Sequence, residues 1–214
     1  MSGSGPTKEL RRDAQLNRER SVASARALFA RDGVEASVEE ITRHAGVGMG
    51  TLYRHFATKE ELIDAVLEDA FGELISLAEQ AAADDDAWRG FSTFLEQTLG
   101  RHVVNRGLKD VVASGQGLER AQAMRERLRP LLRQMINRAQ AQGALRLDFT
   151  AEDVPMVFWA GGGVIAATAA VAPEAWSRHL RIFLDGLQPG AATPLPVPPL
   201  TPEQLARSAG RGRG

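Results

Sequence analysis

A short run of polar residues near position 50 has the side chains needed to read a nucleic acid. Arg54 can donate two N–H groups to one guanine, and the Thr51 methyl group can contact thymine. Tyr53 and His55 flank that pair and are better placed for phosphate groups. Gly50 adds no side chain where a backbone must come close. We therefore expect base contacts from Arg54 and Thr51, and phosphate contacts from their neighbours.

Two short helices joined by a tight turn are predicted to position these residues. Ser37 can cap the first helix, with Glu40 three residues later as its capping-box partner. Gly46 is well placed for the left-handed residue at a helix end. Gly48 stands just before the second helix, predicted over residues 49–56. Helix, glycine-containing turn and short helix is the pattern of a helix-turn-helix.

Helical geometry separates the two sides of the second helix. At about 100° per residue, Leu52 and Phe56 share one side and should face a core. The opposite side carries the polar run and should face outward. An ordinary amphipathic helix in a bundle has the same pattern, so from the residues alone both interpretations stay open.

A longer run, RSVASARALFARDGVEASVEEITRHAGVGMGTLYRHFATKEEL, resembles the DNA-binding domain of TetR-family transcriptional repressors over about Asp13 to Leu67. The resemblance implies a ligand-responsive repressor that binds palindromic operator DNA as a homodimer. Two positions depart from the family: Gly48 stands where Ser is common, and Met49 where Lys is frequent. We expect a weaker helix cap and one fewer phosphate contact there. The candidate DNA-binding residues are Ser37, Gly50, Thr51, Tyr53, Arg54, His55 and Lys59.

Charge and composition fit a protein in two parts. The chain has 214 residues, no cysteine and a net charge of −1. Residues 1–60 hold 10 basic and 8 acidic side chains, whereas residues 61–187 hold 13 and 18. A weakly basic head on an acidic body suits a DNA-reading domain with a regulatory body. The start of the chain has no apolar run, so we expect no secretory signal and a location in the bacterial cytoplasm.

The predicted fold is all-α, with about nine helices and no strands. Residues 1–12 are predicted to be a flexible arm, residues 13–60 a three-helix DNA-binding domain, residues 61–187 a helical ligand-binding and dimerisation domain, and residues 188–214 a disordered tail rich in Pro, Arg and Gly. A helix from Leu118 to Gln142 contains Pro130, which should kink or split it. A short helix is expected over residues 108–113.

Residues 154–172 carry no charge over nineteen positions, which is long enough to suggest a membrane span. We interpret the segment as a helix of a globular domain, because Ala and Gly dominate it and Thr150 with Asp153 can cap it. Residues 161–163 are three consecutive glycines, which close packing against another helix or space for a ligand would explain.

The body supplies candidates for an effector site and for a dimer interface. The resemblance implies a small-molecule effector. We expect it to be apolar, and Thr98 and His102, which share a helical face with Phe94, are the polar groups expected to orient it. The candidate ligand-binding residues are Phe71, Ile75, Phe94, Thr98, His102, Met135, Phe158 and Trp159. Dimerisation through the last two long helices is implied by the resemblance, and the candidate interface residues are Val164, Thr168, Trp176, Leu180 and Phe183.

Enzyme chemistry finds little support in the sequence. We expect no catalytic residues, no cofactor and no metal, because no nucleophile elbow, phosphate loop or spaced ligand set is present. The run Asp84–Asp86 is interpreted as a solvated loop. The alternative to a DNA-binding regulator is a helical protein-interaction module in which the helix-turn-helix serves only as a bundle element.

Overall fold

The structure, a computed structural model, describes residues 6–104 and 118–211. Every regular element in these two ranges is helical, which confirms the predicted all-α class. Two 3₁₀ turns cover Gly33–Glu35 and Pro189–Ala191. The short helix expected over residues 108–113 lies outside the described residues. The α-helices within them are α1 (Pro6–Asp32), α2 (Val38–Ala45), α3 (Met49–His55), α4 (Lys59–Ala83), α5 (Ala87–Val104), α6 (Leu118–Ala141), α7 (Val154–Thr168), α8 (Ala175–Gly186) and α9 (Pro202–Arg211).

The described residues form two compact units. The first holds residues 6–70 and 118–121, and the second holds residues 71–104 and 122–211. Their boundary falls inside α4, about ten residues after the expected one at position 60. Helix α4 contributes its first turns to the first unit and its later turns to the second unit. The start of this helix therefore does not mark the domain boundary.

The first unit is built on α1, against which both α2 and α3 pack. Its interior consists of apolar side chains from these three helices and from the first turns of α4. The most completely buried of them include Ala25, Phe29, Ile41, Leu52, Leu62, Val66 and Leu67. Burying a side chain of this size contributes about 1.5–3 kcal/mol. The apolar stripe of each helix therefore fixes which of its faces is left for solvent.

The first helix begins earlier than expected. It starts at Pro6, whereas residues 1–12 were predicted to be a flexible arm. Proline is tolerated in the first turn of a helix, because its missing N–H would have no partner there. Leu16, an apolar residue of α1, is 42% exposed. The N-terminal turns of α1 therefore extend beyond the core of the first unit.

The second unit packs α5, α7 and α8 against one another. Aromatic rings connect these helices to the turn after α6: Phe149 lies 5.9 Å from Phe91 and 6.4 Å from Phe183, both edge to face. Helix α6 continues through the exposed Pro130, so the predicted split does not occur.

Helix α7 has 15 residues, a length of about 22 Å at 1.5 Å per residue. A bilayer core is about 30 Å thick. Within residues 6–104 and 118–211, none of the helices combines the length and the apolar character needed to cross a membrane. Thr150 and Asp153 do bond to each other, at 2.8 and 2.9 Å, but they close the turn that precedes α7, and its first residue is Val154.

The tail departs from the predicted disorder. It contains the 3₁₀ turn at residues 189–191 and helix α9, and it is attached to the turn after α6. Arg146 Nη2 donates to the Thr193 carbonyl at 2.5 Å, and the Leu195 N–H donates to Asp148 at 3.3 Å. Arg146 also donates to Asp148 at 2.5 and 3.0 Å. Composition indicated low order for this segment, but contacts with residues some 47 positions earlier hold it.

Candidate functional site

Helix α2 has the predicted residues at both of its ends, although the Glu40 carboxylate accepts a hydrogen bond from Arg31 at 2.9 Å. Ser37 is the N-cap of α2, and its Oγ accepts a hydrogen bond from the Glu40 N–H at 3.1 Å. Gly46 ends α2 with φ 66° and ψ 32°, the left-handed conformation that glycine adopts without strain. Gly46 ends α2 two residues before Gly48, the N-cap residue of α3.

Helix α3 has the two predicted sides. Leu52 is 2% exposed and Phe56 is 4% exposed, so both side chains lie in the core of the first unit. Tyr53 is 48% exposed, and Arg54 is exposed as well. A Cβ atom built on Gly50 would meet nothing within 4 Å, so this residue faces open space. The polar side of α3 is therefore free to approach another molecule.

Arg54 is held along its own helix. Its Nε donates to the Gly50 carbonyl at 3.2 Å, and its Nη2 donates to Thr51 Oγ1 at 3.1 Å. The two predicted base-reading side chains, Arg54 and Thr51, are thus in direct contact with each other, an arrangement that helical periodicity alone did not specify.

The remaining candidate DNA-binding residues lie at the ends of helices. His55 is half-buried, with its ring centroid 6.3 Å from that of Phe56. Lys59 is the first residue of α4 and is also half-buried. Ser37 is exposed, and while its oxygen accepts the cap bond its O–H group can still donate. These residues lie at the beginnings of α2 and α4 and at the end of α3.

The two departures from the family pattern have visible consequences. Gly48 is the N-cap of α3 and makes no side-chain cap bond. Met49 is half-buried, and its sulfur accepts a hydrogen bond from Thr42 Oγ1 at 3.5 Å. This methionine packs against α2 and carries no charge that could contact a phosphate.

Several contacts that brace α3 were not anticipated from the sequence. The Arg18 guanidinium lies 5.3 Å above the Phe56 ring, a cation–π contact between α1 and the residue that ends α3. His44 Nδ1 lies 3.0 Å from Ser24 Oγ and links α2 to α1. Such pairs join residues 20 or more positions apart, so no local sequence signal reports them.

The candidate effector residues lie around the core of the second unit. Ile75, Phe94 and Met135 are buried, Phe71 and Phe158 are half-buried, and Trp159 is 44% exposed. Phe94 and Phe158 stack edge to face at 6.4 Å. The Thr98 hydroxyl is shielded from solvent and has no hydrogen-bond partner within the described residues. The side chain of His102 lies outside the described residues.

A cavity of about 430 Å³ opens in another part of the second unit, between α7, α8, the turn after α6 and the tail. None of the seven candidate effector residues whose side chains are described lines it. The cavity and the predicted effector-binding residues therefore lie in different parts of the second unit. Its lining is mostly apolar and consists of Leu99, Arg146, Phe149, Asp153, Met156, Val157, Ala160, His179, Leu180, Ile182, Phe183, Gly186, Leu187 and Leu195.

The candidate dimer residues do not share one outward face. Trp176 is 8% exposed and Leu180 is 3% exposed, so both are core residues of their own subunit. Phe183 is half-buried against Phe149, and Thr168 donates to the Val164 carbonyl of its own helix at 2.8 Å. Trp176 and Leu180 lie at helical spacing on α8, as predicted, and the apolar stripe that they form faces the core of the second unit.

A different set of residues forms the outward face of α7 and α8. Ile182 is 61% exposed, although it is a large apolar side chain. Ile182 and Ala160 line the same cavity, so the outward surfaces of the two helices adjoin. The exposed residues of this face, which we call the α7–α8 face, include Trp159, Ala160, Gly163, Ala166, Ala167 and Ile182, and the exposed Arg178 and Asp185 lie on the same side of α8 as Ile182.

The acidic run before α5 has a structural role. Asp84 accepts two hydrogen bonds from Arg89 at 2.6 and 3.1 Å, which lowers the pKa of its carboxyl group. Asp86 accepts the Arg89 N–H at 2.9 Å and so caps α5. Among the described residues, no group of His, Asp or Glu side chains is arranged to hold a metal ion.

Known proteins with similar sequences and structures are regulators. Residues 22–66 match the profile described as bacterial regulatory proteins of the tetR family, and residues 86–189 match the SbtR-like transcriptional regulator C-terminal domain. A TetR regulator from Mycobacterium vanbaalenii is 31% identical, with 84% of this chain and 99% of that one covered, at a TM-score of 0.63. A TetR regulator from Streptomyces coelicolor is 27% identical, with coverages of 80% and 98% and the same TM-score.

A curated relative matches over a shorter region. An HTH-type transcriptional regulator of Staphylococcus aureus is 32% identical over 108 residues, which is 50% of this chain and 58% of that protein. This chain therefore spans little more than half the length of that relative.

The buried and exposed sides of α3, the turn before it and the helical body define a DNA-binding transcriptional regulator of the helix-turn-helix class, which is not a class of enzymes. The two profile matches and the nearly full-length similarity to the Mycobacterium structure identify the family. The chain belongs to the TetR family of bacterial regulatory proteins.

Proposed function

We propose that this protein is a ligand-responsive repressor that binds palindromic operator DNA as a homodimer in the bacterial cytoplasm. The observation that carries the proposal is the exposed polar side of α3, opposite the buried Leu52 and Phe56. A short helix whose apolar side is fixed in a core can present its other side to a major groove. Arg54 and Thr51 lie at the centre of that side.

Base contacts and phosphate contacts have separable effects. Arg54→Ala should relax the sequence preference at one base pair of each half-site, at a cost of about 1–3 kcal/mol there. Lys59→Ala should weaken binding to every duplex and reduce the salt slope by about 1. Tyr53→Phe and His55→Ala should also weaken all duplexes evenly, because phosphate contacts carry no direct sequence information.

A binding titration tests this proposal. Labelled DNA from the region flanking the protein's own gene is compared with random duplex at one salt concentration, and then with duplexes selected from a random library. A sequence preference of the wild type that Arg54→Ala reduces and Lys59→Ala leaves intact is the expected result. Equal affinity of the wild type for all duplexes would contradict the proposal and favour a protein-interaction module.

Operator geometry and one glycine of α7 support the proposed homodimer. Half-sites one helical turn apart, roughly 34–36 Å, need two α3 helices related by a two-fold axis. A Cβ atom on Gly161 would come within 2.6 Å of Leu99, so packing inside the subunit explains that glycine. A Cβ atom on Gly163 would meet nothing within 4 Å. Close approach of a second copy at the α7–α8 face would explain a glycine that costs about 1 kcal/mol in a helix interior.

The proposed effector site lies around Thr98. A buried hydroxyl without a partner costs about 1–3 kcal/mol, so a ligand that supplies a hydrogen bond there would recover that energy. Phe94, one helical turn before Thr98 on α5, stacks edge to face with Phe158, and the adaptable Met135 belongs to the same core, so these side chains suit an apolar molecule. Such a ligand weakens operator binding only if it prefers the conformation that does not bind DNA.

Nile red, which is apolar and carries one carbonyl acceptor, is a suitable first probe of that site. Its emission is titrated with and without the selected operator, for the wild type and for Thr98→Val. Operator and probe should weaken each other's binding by one common factor, because coupling is reciprocal. Probe binding that is unchanged by operator, or unchanged by Thr98→Val, would contradict this assignment of the effector site.

A further inference from the structure

The hydrogen bonds of Arg54 use one particular edge of its guanidinium group. Nε and Nη2 lie on the same side of the planar group, and they donate to the Gly50 carbonyl at 3.2 Å and to Thr51 Oγ1 at 3.1 Å. The opposite end, formed by Nη1 and the second hydrogen of Nη2, makes neither of these bonds. An arginine reads guanine by donating two parallel N–H groups to O6 and N7. One edge of Arg54 is therefore occupied inside the helix, and the end of the group is left for a base.

We propose that Thr51 is a positioning residue, whose hydroxyl holds Arg54 so that the end of the guanidinium group, and not its Nε edge, contacts the base. The pair acts as one specificity-determining unit. This inference rests on the proposed DNA-binding function, and it replaces the separate roles that the sequence suggested for Thr51 and Arg54.

The surroundings of Thr51 support a positioning role. Thr51 is half-buried, and its N–H donates to the Gly48 carbonyl at 2.9 Å, within the first turn of α3. Leu52, the next residue, is 2% exposed and ties this turn to the core. Thr51 Oγ1 is thus fixed to a rigid element, whereas Arg54 is exposed and has a long, flexible side chain. Anchoring such a side chain before DNA arrives reduces the rotamer entropy that is lost on binding.

The two possible roles of Thr51 predict opposite results for two conservative substitutions. Thr51→Val keeps the β-branched shape and a methyl group but removes the hydroxyl acceptor. Thr51→Ser keeps the acceptor and removes the methyl group. If Thr51 positions Arg54, the serine variant should bind as the wild type does and the valine variant should not. If the methyl group reads thymine directly, the valine variant is the one that keeps the preference.

The first experiment is a double-mutant cycle on the selected operator. Dissociation constants are measured for the wild type, Thr51→Val, Thr51→Ser, Arg54→Ala and Thr51→Val/Arg54→Ala, on the operator and on duplexes changed at each base pair of the half-site. We expect Thr51→Val to lose about two- to tenfold of the preference at the base pair read by Arg54, the range for immobilising one long side chain. The valine substitution should change nothing further once Arg54 is alanine. Additive losses, or a serine variant that behaves like valine, would overturn the proposal.

The second experiment needs no DNA. The ¹⁵N relaxation of the Arg54 Nε–H group is measured in the free protein for the wild type, Thr51→Val and Thr51→Ser. Faster Nε–H motion in the valine variant alone is expected, and equal mobility in all three proteins would overturn the positioning role. If the wild type shows no preference among duplexes, the proposed function fails, while this measurement still decides whether Thr51 holds Arg54. Unchanged far-UV circular dichroism and Tm establish that each variant is folded.

Discussion

Gly90 on α5 lies against the carbonyl oxygen of Ala81 on α4. A Cβ atom on Gly90 would come within 2.3 Å of that oxygen and within 3.0 Å of Asp84 Cβ. Gly90 is buried, and its N–H donates to the Asp86 carbonyl at 2.9 Å. The close approach of α5 to the end of α4, and with it the tight turn around Asp84–Asp86, depends on the absence of a side chain at position 90.

Gly90→Ala should therefore destabilise the second unit. The methyl group would displace backbone, at a cost of about 1–3 kcal/mol or more for overpacking, which exceeds the roughly 1 kcal/mol gained in helix propensity. Gly72→Ala on α4 is the matched control, because a Cβ atom there meets nothing within 4 Å, and it should raise stability slightly. Thermal unfolding followed by circular dichroism compares the two variants. Equal changes in Tm would show that the contact at Ala81 is not tight.

Gly48→Ser should stabilise α3. Gly48 has the extended φ and ψ of an N-cap, −74° and 149°, and a Cβ atom there would come no closer than 4.0 Å to Thr51 Oγ1. A serine Oγ can accept a backbone N–H of the first turn, which is worth a few tenths of a kcal/mol relative to glycine. Amide hydrogen exchange of the first turn of α3 should slow in this variant. Gly48→Ala adds the Cβ without the acceptor and should give no such protection.

Ile182→Glu should separate the proposed homodimer. Ile182 is 61% exposed on the α7–α8 face, so a charge there would be buried only against a second copy. Leu180→Glu is unsuitable as a test, because Leu180 is 3% exposed and the charge would unfold its own subunit. The matched control is Leu147→Glu, at an apolar residue 82% exposed in the turn after α6. Light scattering should show a dimer for the wild type and the control and a monomer for Ile182→Glu, and a wild-type monomer would contradict the assignment.

Acid should release the tail from the turn after α6. The hydrogen bonds from Arg146, together with the Leu195 N–H, lower the pKa of Asp148 to about 2. Because this pKa is depressed on folding, the carboxylate stabilises the attachment fully above its ordinary pKa of about 4 and loses that effect as the pH falls toward 2. The Leu195 amide shift in NMR spectra should titrate in this window, while the amide of the buried Ala139 reports global unfolding. Asp148→Ala should free the tail at neutral pH and abolish the titration.

Local chemistry in the sequence determined the helix-turn-helix. Ser37 begins α2 and Gly46 ends it. A side-chain acceptor and a left-handed residue act within a few positions of a helix end, so the local sequence is enough to place them. The inward direction of Leu52 and Phe56 follows from the helical repeat and from the polarity of the residues between them. The run from Asp13 to Leu67 also identified the family. Its glycines and apolar residues are the ones that end the helices and face the core of the first unit.

The tertiary structure decided which neighbour each face meets. The spacing of Trp176 and Leu180 predicts a stripe on α8, but an inward stripe and a dimerisation stripe have the same periodicity, and only the position of α5 and α7 assigns it to the core. Gly161 and Gly163 are alike in sequence and differ because Leu99 lies over one of them. The contacts of the tail with Arg146 and Asp148 join residues far apart in the chain. Periodicity and capping act over a few residues, whereas these outcomes depend on side chains brought together only when the helices pack.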